Sequence, residues 1–337
     1  MTDWKVRIRN CAIGMPAMAA CLFAVPSFAQ AANPGCPTAA PPVTVIQANA
    51  FYKKGTVERD GALFEKNRAG LKPIFDFQNA IARNSDAFVM QGSKAAKACA
   101  DALMLGWAKR NALTGFGAGI RQRDYQSHFV QHWTAASLGL ARIKLGPLAS
   151  SADDRIVREW LKRLALSVRD FHTRVTNRNN MFDWAVLTVG SIGYATRDRA
   201  LVADADSMFQ LALNQIQDKG FLPLEMKRGR RAASYHAFAA QPLALYQLIR
   251  TQCGGNRAQQ AKLTSLINLV RTLQTDPNSI QSQANVAQSP IGKQPWLNVW
   301  DSVNGRASRE QPSSSRYIAG NSQSLAKALS GRCPAIS

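Results

Sequence analysis

Apolar residues return every three to four positions through most of this chain, and no segment alternates apolar and polar residues in the sustained way a strand requires. Ile81, Ala87, Phe88, Ala95, Cys99, Leu103 and Trp107 keep close to the helical period and predict helix over 80–110. Phe129, Trp133, Ala136, Leu140 and Ile143 form a second stripe. Ile156, Trp160, Leu164, Val168 and Phe171 form a third, with a good cap region ahead of it at Ser150 to Asp154. Further helices are expected over 182–194, 200–216, 231–250 and 261–273, with Pro242 kinking its helix. The links between them are short, as at 196–198 and 218–220, so antiparallel helix pairs are the natural packing. Residues 281–292 and 304–315 read as loops. The expectation is a large all-α domain over 51–330, preceded by an extended arm over 30–50 that is rich in Pro, Ala and Thr.

The amino terminus reads differently. Lys5, Arg7 and Arg9 precede an apolar run over 11–25, and Ser27-Phe28-Ala29 is a small-x-small cleavage pattern. This is the order of a secretory signal peptide over 1–29, and its apolar run is too short to span a bilayer. A periplasmic or secreted chain, not inserted in a membrane after cleavage, is expected. Charge then gains meaning. The 42 Lys and Arg against 21 Asp and Glu give +21, and loss of the signal peptide leaves +19 on an exported protein. The 46 % of apolar residues rules out a wholly disordered chain. Such a basic surface asks for an acidic partner. Export and the lack of a helix-turn-helix, zinc or RNP-like pattern count against nucleic acid and favour an extracytoplasmic anionic polysaccharide, bound by a monomer.

Four cysteines remain after cleavage: Cys36, Cys99, Cys253 and Cys333. An even number in an exported chain permits disulfides. A Cys36–Cys99 bond is expected, stapling the arm to an early helix; a free buried thiol is the alternative at each position. No cysteine has metal-site spacing, and His128, His132, His172 and His236 lack a carboxylate or Cys arrangement that calls for a metal. No metal and no cofactor are expected.

Two segments carry candidate chemistry. One is Asn179-Asn180-Met181-Phe182-Asp183-Trp184. The other runs from Gly220-Phe221-Leu222-Pro223 through Glu225, Lys227, Arg228, Arg230 and Arg231 to Tyr235-His236 and Pro242-Leu243. Taken alone, the second is a solvated basic turn ahead of a core-facing aromatic pair. As a pattern, it resembles the signature of the alginate lyase family, the poly(β-D-mannuronate) lyase type, in which Gly-Phe-Leu-Pro leads to Glu-Leu-Lys-Arg, Arg-Ala, Tyr-His and Pro-Leu. The first segment is similar to that family's Asn-Asn-His-x-x-Trp. Gln131-His132-Trp133 through Leu145, Cys36-Pro37, Cys99 and Trp296-Leu297 also resemble it. The resemblance is strongest over 155–250. It implies an α/α barrel, or toroid, of antiparallel helix pairs with a deep substrate cleft.

The resemblance implies β-elimination on a uronate polymer, and the residue types suit that reaction. The C5 proton is very weakly acidic while the adjacent carboxylate is charged. The site must neutralise the carboxylate, take the proton and protonate the leaving C4 oxygen. By the family motif, Arg228 and Asn180 neutralise, and Tyr235 serves as base and acid if nearby cations lower its pKa from about 10. A continuous helix would set Arg228 and Tyr235 two turns apart on one side, although Gly229 interrupts that reading. Lys53, Lys54, Lys227, Arg231, His236 and Trp184 are the expected substrate-binding residues. Lys53 and Lys54 belong to a segment over 51–60 that resembles a family lid loop. Trp133, Trp184 and Trp296 are candidate sugar platforms, Trp184 first. Glu225 reads as a partner for a nearby arginine. The departure is Met181, which stands where the family has His, with Asp183 where it has an aromatic. Three readings stay open: Tyr235 acts alone, which suits mannuronate or glucuronate; Asp183 or His236 takes the missing role; or the protein is a catalytically weak or inactive polysaccharide-binding protein.

Overall fold

Helix starts are visible in the local chemistry. Asp60, Ser93, Ser150, Asn179, Asp198 and Asn321 each turn a side-chain oxygen onto an otherwise unpaired N–H of the turn that follows. The computed structural model describes Cys36 and residues 40–54, 56, 58–119, 124–175, 177–254, 260–305 and 320–333. The expected signal peptide over 1–29 and most of the expected loop over 304–315 lie outside these. Residues 35–337 form one unit.

The helices are α1 (Gly61–Gly70), α2 (Lys72–Gln91), α3 (Lys94–Lys109), α4 (Gln126–Leu145), α5 (Ser151–Arg174), α6 (Asn180–Thr196), α7 (Arg199–Leu213), α8 (Pro223–Met226), α9 (Ala232–Gln252), α10 (Gln260–Thr275), α11 (Gln281–Ala284), α12 (Trp296–Val303) and α13 (Ser322–Arg332). The helix expected over 80–110 is thus two. Apolar spacing carries across Gly92 and Ser93, but the Ser93 hydroxyl accepts from the Ala96 N–H and starts a new helix there. The loop expected over 281–292 begins with the single turn of α11. Helix α9 runs unbroken through Pro242.

Two kinds of helix alternate. In α5 the buried residues are Val157, Trp160, Leu161, Leu164, Ala165, Val168 and Phe171, a single stripe facing inward. In α4, α6 and α9 burial goes nearly all the way round, as an enclosed helix requires. The enclosed helices pack in sequence, α4 on α6 and α6 on α9, with the one-sided α2 against α4, while α3, α5, α7 and α10 lie against this row from outside. This is the α/α toroid that the resemblance implies. Small residues permit the close approach: a Cβ on Gly190 of α6 would come within 2.0 Å of the Tyr246 ring on α9.

Two parallel residue pairs join the arm to the domain, β1 (Val45–Ile46) beside β2 (Gly115–Phe116). The Cys36–Cys99 disulfide ties the same arm to α3, as expected. A second disulfide, Cys253–Cys333, ties the end of α9 to the end of α13. Helix α13 is also held by a buried polar knot. Lys144 Nζ on α4 donates to Asp86 Oδ1 (2.7 Å) and to the Asn321 carbonyl (3.1 Å), and Asp86 Oδ2 accepts from the Asn321 N–H (2.8 Å). Among the described residues no helix is long and apolar enough to cross a membrane.

Candidate active site

The turn before α8 needs its glycine. Gly220 has φ +86°, and a Cβ there would meet the Ser265 carbonyl of α10 at 2.4 Å. Pro223 then opens α8, where its missing N–H costs nothing. After Arg228 the chain turns left-handed at Gly229 (φ +55°) and makes one tight turn before α9 begins at Ala232. Arg228 and Tyr235 therefore do not share a continuous helix. The turn instead folds Arg228 back, and its guanidinium carbon lies 4.8 Å from the Tyr235 ring centroid.

Glu225 joins this turn to α6. Its Oε1 accepts from the Asn180 N–H (2.7 Å), and its Oε2 accepts from Asn180 Nδ2 (3.0 Å) and from Arg228 Nε (3.3 Å). The Asn179-Asn180 pair thereby has two separate tasks, since Asn179 caps α6 by accepting from the Met181 N–H (3.0 Å). Burial pushes the Glu225 carboxyl up, against the opposing pull of Arg228 and Asn180. The sequence reading of Glu225 as an arginine's partner holds, and the structure adds Asn180.

Tyr235 Oη lies 3.0 Å from Tyr52 Oη, and Arg231 Nη1 donates to Tyr52 Oη at 2.5 Å. Tyr52 sits on the 51–60 segment, which is closed by an antiparallel bridge between Tyr52 and Arg59. Two expectations change here. The Tyr235 hydroxyl lies above its ordinary pKa, because burial and the neighbouring Tyr52 outweigh Arg228 and Arg231, which pull it down. The residue of this segment that reaches the candidate site is Tyr52; Lys53 pairs with Glu58 (3.3 Å), and both lysines, Lys53 and Lys54, are exposed. An aromatic in a polar loop was the available signal for Tyr52. Lys227 is exposed as well, whereas Arg231 is half-buried.

His236 is fully enclosed and has no nitrogen to offer a sugar. Its Nδ1 meets the Ala232 carbonyl at 2.8 Å, and its Nε2 accepts from the Leu222 N–H at 3.0 Å, which locks the Gly-Phe-Leu-Pro turn onto α9. Burial lowers the imidazole to about 4. It is a packing histidine, not a substrate ligand or a replacement for the missing one. Trp184 is fully buried with its ring centroid 5.2 Å from that of Phe238, so it serves the core and not as a sugar platform. Trp296 is buried too, and Trp133 is half-buried. Met181 is buried at the start of α6, and Asp183, one turn beyond Asn180, is 3 % exposed.

Three histidines cluster near that helix start. His132 Nε2 lies 2.9 Å from His172 Nε2, and the Phe171 ring packs on His128, His132 and His172. Burial lowers His128 and His172 to about 4, so the cluster is neutral. Among the described residues no group of three or more His, Cys, Asp or Glu could hold a metal ion.

The chain is similar to known proteins in sequence and in fold. A polysaccharide lyase of Stenotrophomonas maltophilia is 29 % identical over 270 residues, covering 79 % of this chain and 81 % of that one. An alginate lyase of Pseudomonas aeruginosa is 31 % identical over 225 residues, covering 62 % of this chain and 59 % of its own length. Alginate lyase A1-III of Sphingomonas species A1, in a variant complexed with a tetrasaccharide, superposes with a TM-score of 0.70 at 19 % identity, over 87 % of this chain and 86 % of that one. The alginate lyase family pattern matches residues 56–280, a span that holds Asn180, Glu225, Arg228 and Tyr235. On that match the chain belongs to the alginate lyase family.

Proposed function

We propose that this protein is a polysaccharide lyase that cleaves a mannuronate- or glucuronate-containing polymer by β-elimination, with Tyr235 as base and then acid. The observation that carries this reading is the Tyr235 side chain set beside two arginines of one turn, with Arg228 over its ring and the Arg231–Tyr52 pair at its oxygen. Arg228 and the second Nδ2 hydrogen of Asn180 are the donors for the substrate carboxylate. Once that charge is neutralised, the C5 proton passes to the Tyr235 phenolate. The C5 electron pair forms the C4=C5 double bond as the C4–O bond breaks, and the same proton passes from Tyr235 to the departing oxygen. In the free protein Tyr235 is a phenol. The two guanidinium groups favour its ionised form, and Tyr52, already an acceptor from Arg231, has its own hydrogen for the phenolate oxygen. A single residue acting as base and acid requires the C5 hydrogen and C4 oxygen on one face, which holds for mannuronate and glucuronate and not for guluronate.

A periplasmic or secreted location goes with this reading, supported by the two disulfides, which persist in oxidising compartments. The alternative, a binding protein with little or no catalysis, is favoured by Met181, which cannot exchange a proton. The deciding experiment incubates the protein with polymannuronate, polyglucuronate and polyguluronate and follows ultraviolet absorbance of the unsaturated uronate. Product from either of the first two supports a lyase. Retained binding with no product from any of the three supports the binding protein.

A further inference from the structure

Asp183 is a carboxyl group that nothing in the fold answers. It lies in the first turns of α6, three residues after Asn180, and is 3 % exposed. Among the described residues it has no hydrogen-bond or ion-pair partner, although buried carboxylates ordinarily carry several donors. The group that acts on it electrostatically is Glu225, a second buried carboxyl. Glu225 takes the donors of this neighbourhood, Asn180 and Arg228. No cation is left for Asp183. No cation acts on it from the helices packed around α6: His128 and His132 of α4, His172 of α5 and His236 of α9 are held neutral by burial, Arg142 and Lys144 of α4 pair with Asp154 and Asp86, and Tyr235 is a phenol. On α7, Asp204 and Asp206 are paired with Arg169 and Arg250.

We propose that Asp183 enters the reaction as a neutral carboxylic acid and donates its O–H to the carboxylate of the uronate whose C5 proton is removed. This rests on the lyase reading above and assigns a third neutralising donor to the same site. A carboxylic acid facing a carboxylate makes a short, charge-assisted hydrogen bond. As negative charge builds on the carboxylate during C5 deprotonation, the shared proton moves toward the substrate; no other bond changes at Asp183, and the proton returns when product leaves. Burial and the proximity of Glu225 both favour the protonated form, well above the usual carboxylate range. Met181 and Asp183 are then one change: the imidazole is absent, and an acid two positions on supplies the hydrogen.

The first test needs no turnover. Carbon-13 NMR of the aspartate carboxyls, with Asp183→Asn to assign the signal, should find Asp183 protonated at neutral pH in the free protein. A mannuronate oligomer bound to the Tyr235→Phe protein, which lacks the reacting oxygen and so keeps the oligomer's carboxylates intact, should then shift that signal. Titration at an ordinary carboxylate pKa, or no response to bound oligomer, overturns the proposal even if the enzyme is active. The second test is kinetic. Wild-type kcat/KM should level off above the Asp183 pKa, while Asp183→Asn, which keeps a neutral donor, should continue to rise toward the Tyr235 pKa and stay within about tenfold of wild type at neutral pH. Asp183→Leu should lose about 100-fold in kcat. Equal losses in Asn and Leu variants with an unchanged pH profile would make Asp183 a packing residue. Absence of product from wild type with a normal NMR response would overturn the lyase reading and leave the carboxylate contact standing.

Discussion

Two helix starts meet at Glu225, and they treat charge in opposite ways. At the start of α9 every group placed near the reaction is answered: Arg228 by Glu225 and the Tyr235 ring, Arg231 by Tyr52, His236 by two backbone groups. At the start of α6, Met181 offers no proton, Asp183 has no hydrogen-bond or ion-pair partner among the described residues, and the histidines of α4 and α5 beside it are neutral. The first region is a fixed electrostatic frame; the second is a low-polarity wall that holds a proton. The arginine side follows the family pattern, and the wall is where this chain departs from it.

The contrast can be broken most severely at Tyr235. Tyr235→Phe should lower the elimination rate by about 1,000-fold with KM little changed, because only the reacting oxygen is removed. Retained activity would move the base elsewhere. Glu225→Ala attacks the join between the two regions. It should cost about 3 kcal/mol in urea denaturation, by leaving Arg228 and the Asn180 donors unpaired, and about 100-fold in kcat/KM.

The neutral imidazoles sharpen the comparison through pH. His236 and His172 lie near 4 in the fold against about 6.5 unfolded, so the fold favours their neutral forms. That stability is complete above pH 6.5 and is lost as pH falls toward 4; for His236 the loss is about 3 kcal/mol. Urea midpoints at pH 7 and pH 4 should converge in His236→Gln on the arginine side and in His172→Gln on the wall. Tyr52→Phe should cost about tenfold in kcat, the value of one polar hydrogen bond to the reacting oxygen. Met181→His should change the rate on polymannuronate by less than tenfold, since Asp183 already supplies a donor. A gain of several hundredfold would show that the methionine is a loss and not a substitution.

The helices were legible because burial imposes the 3.6-residue period wherever one face packs, as in α5. The 92–93 break was not, because two helices packed on one core carry the stripe straight across it. At the site, Glu225, Arg228, Tyr235 and Asn180 follow from the resemblance to the family motif, not from local pattern alone. Tyr52 does not, since it lies 183 residues from its partner Tyr235 and no short motif encodes that contact. His236 and Trp184 show the reverse problem. Their motif was plain, yet residue type cannot tell an enclosed imidazole or indole from one that faces a ligand; only the identity of the atoms around them decides.

Glu225 has a further consequence, for how this site can vary. Its two oxygens serve donors from α6 and from the turn after α8, so Asn180 and Arg228 are linked although they lie 48 positions apart. Without Arg228 the buried Glu225 carboxylate would keep only the two Asn180 donors, and without Glu225 both Asn180 and Arg228 would lose their acceptor. A change at any one of the three positions therefore alters what the other two cost or contribute, so their effects are coupled and not additive.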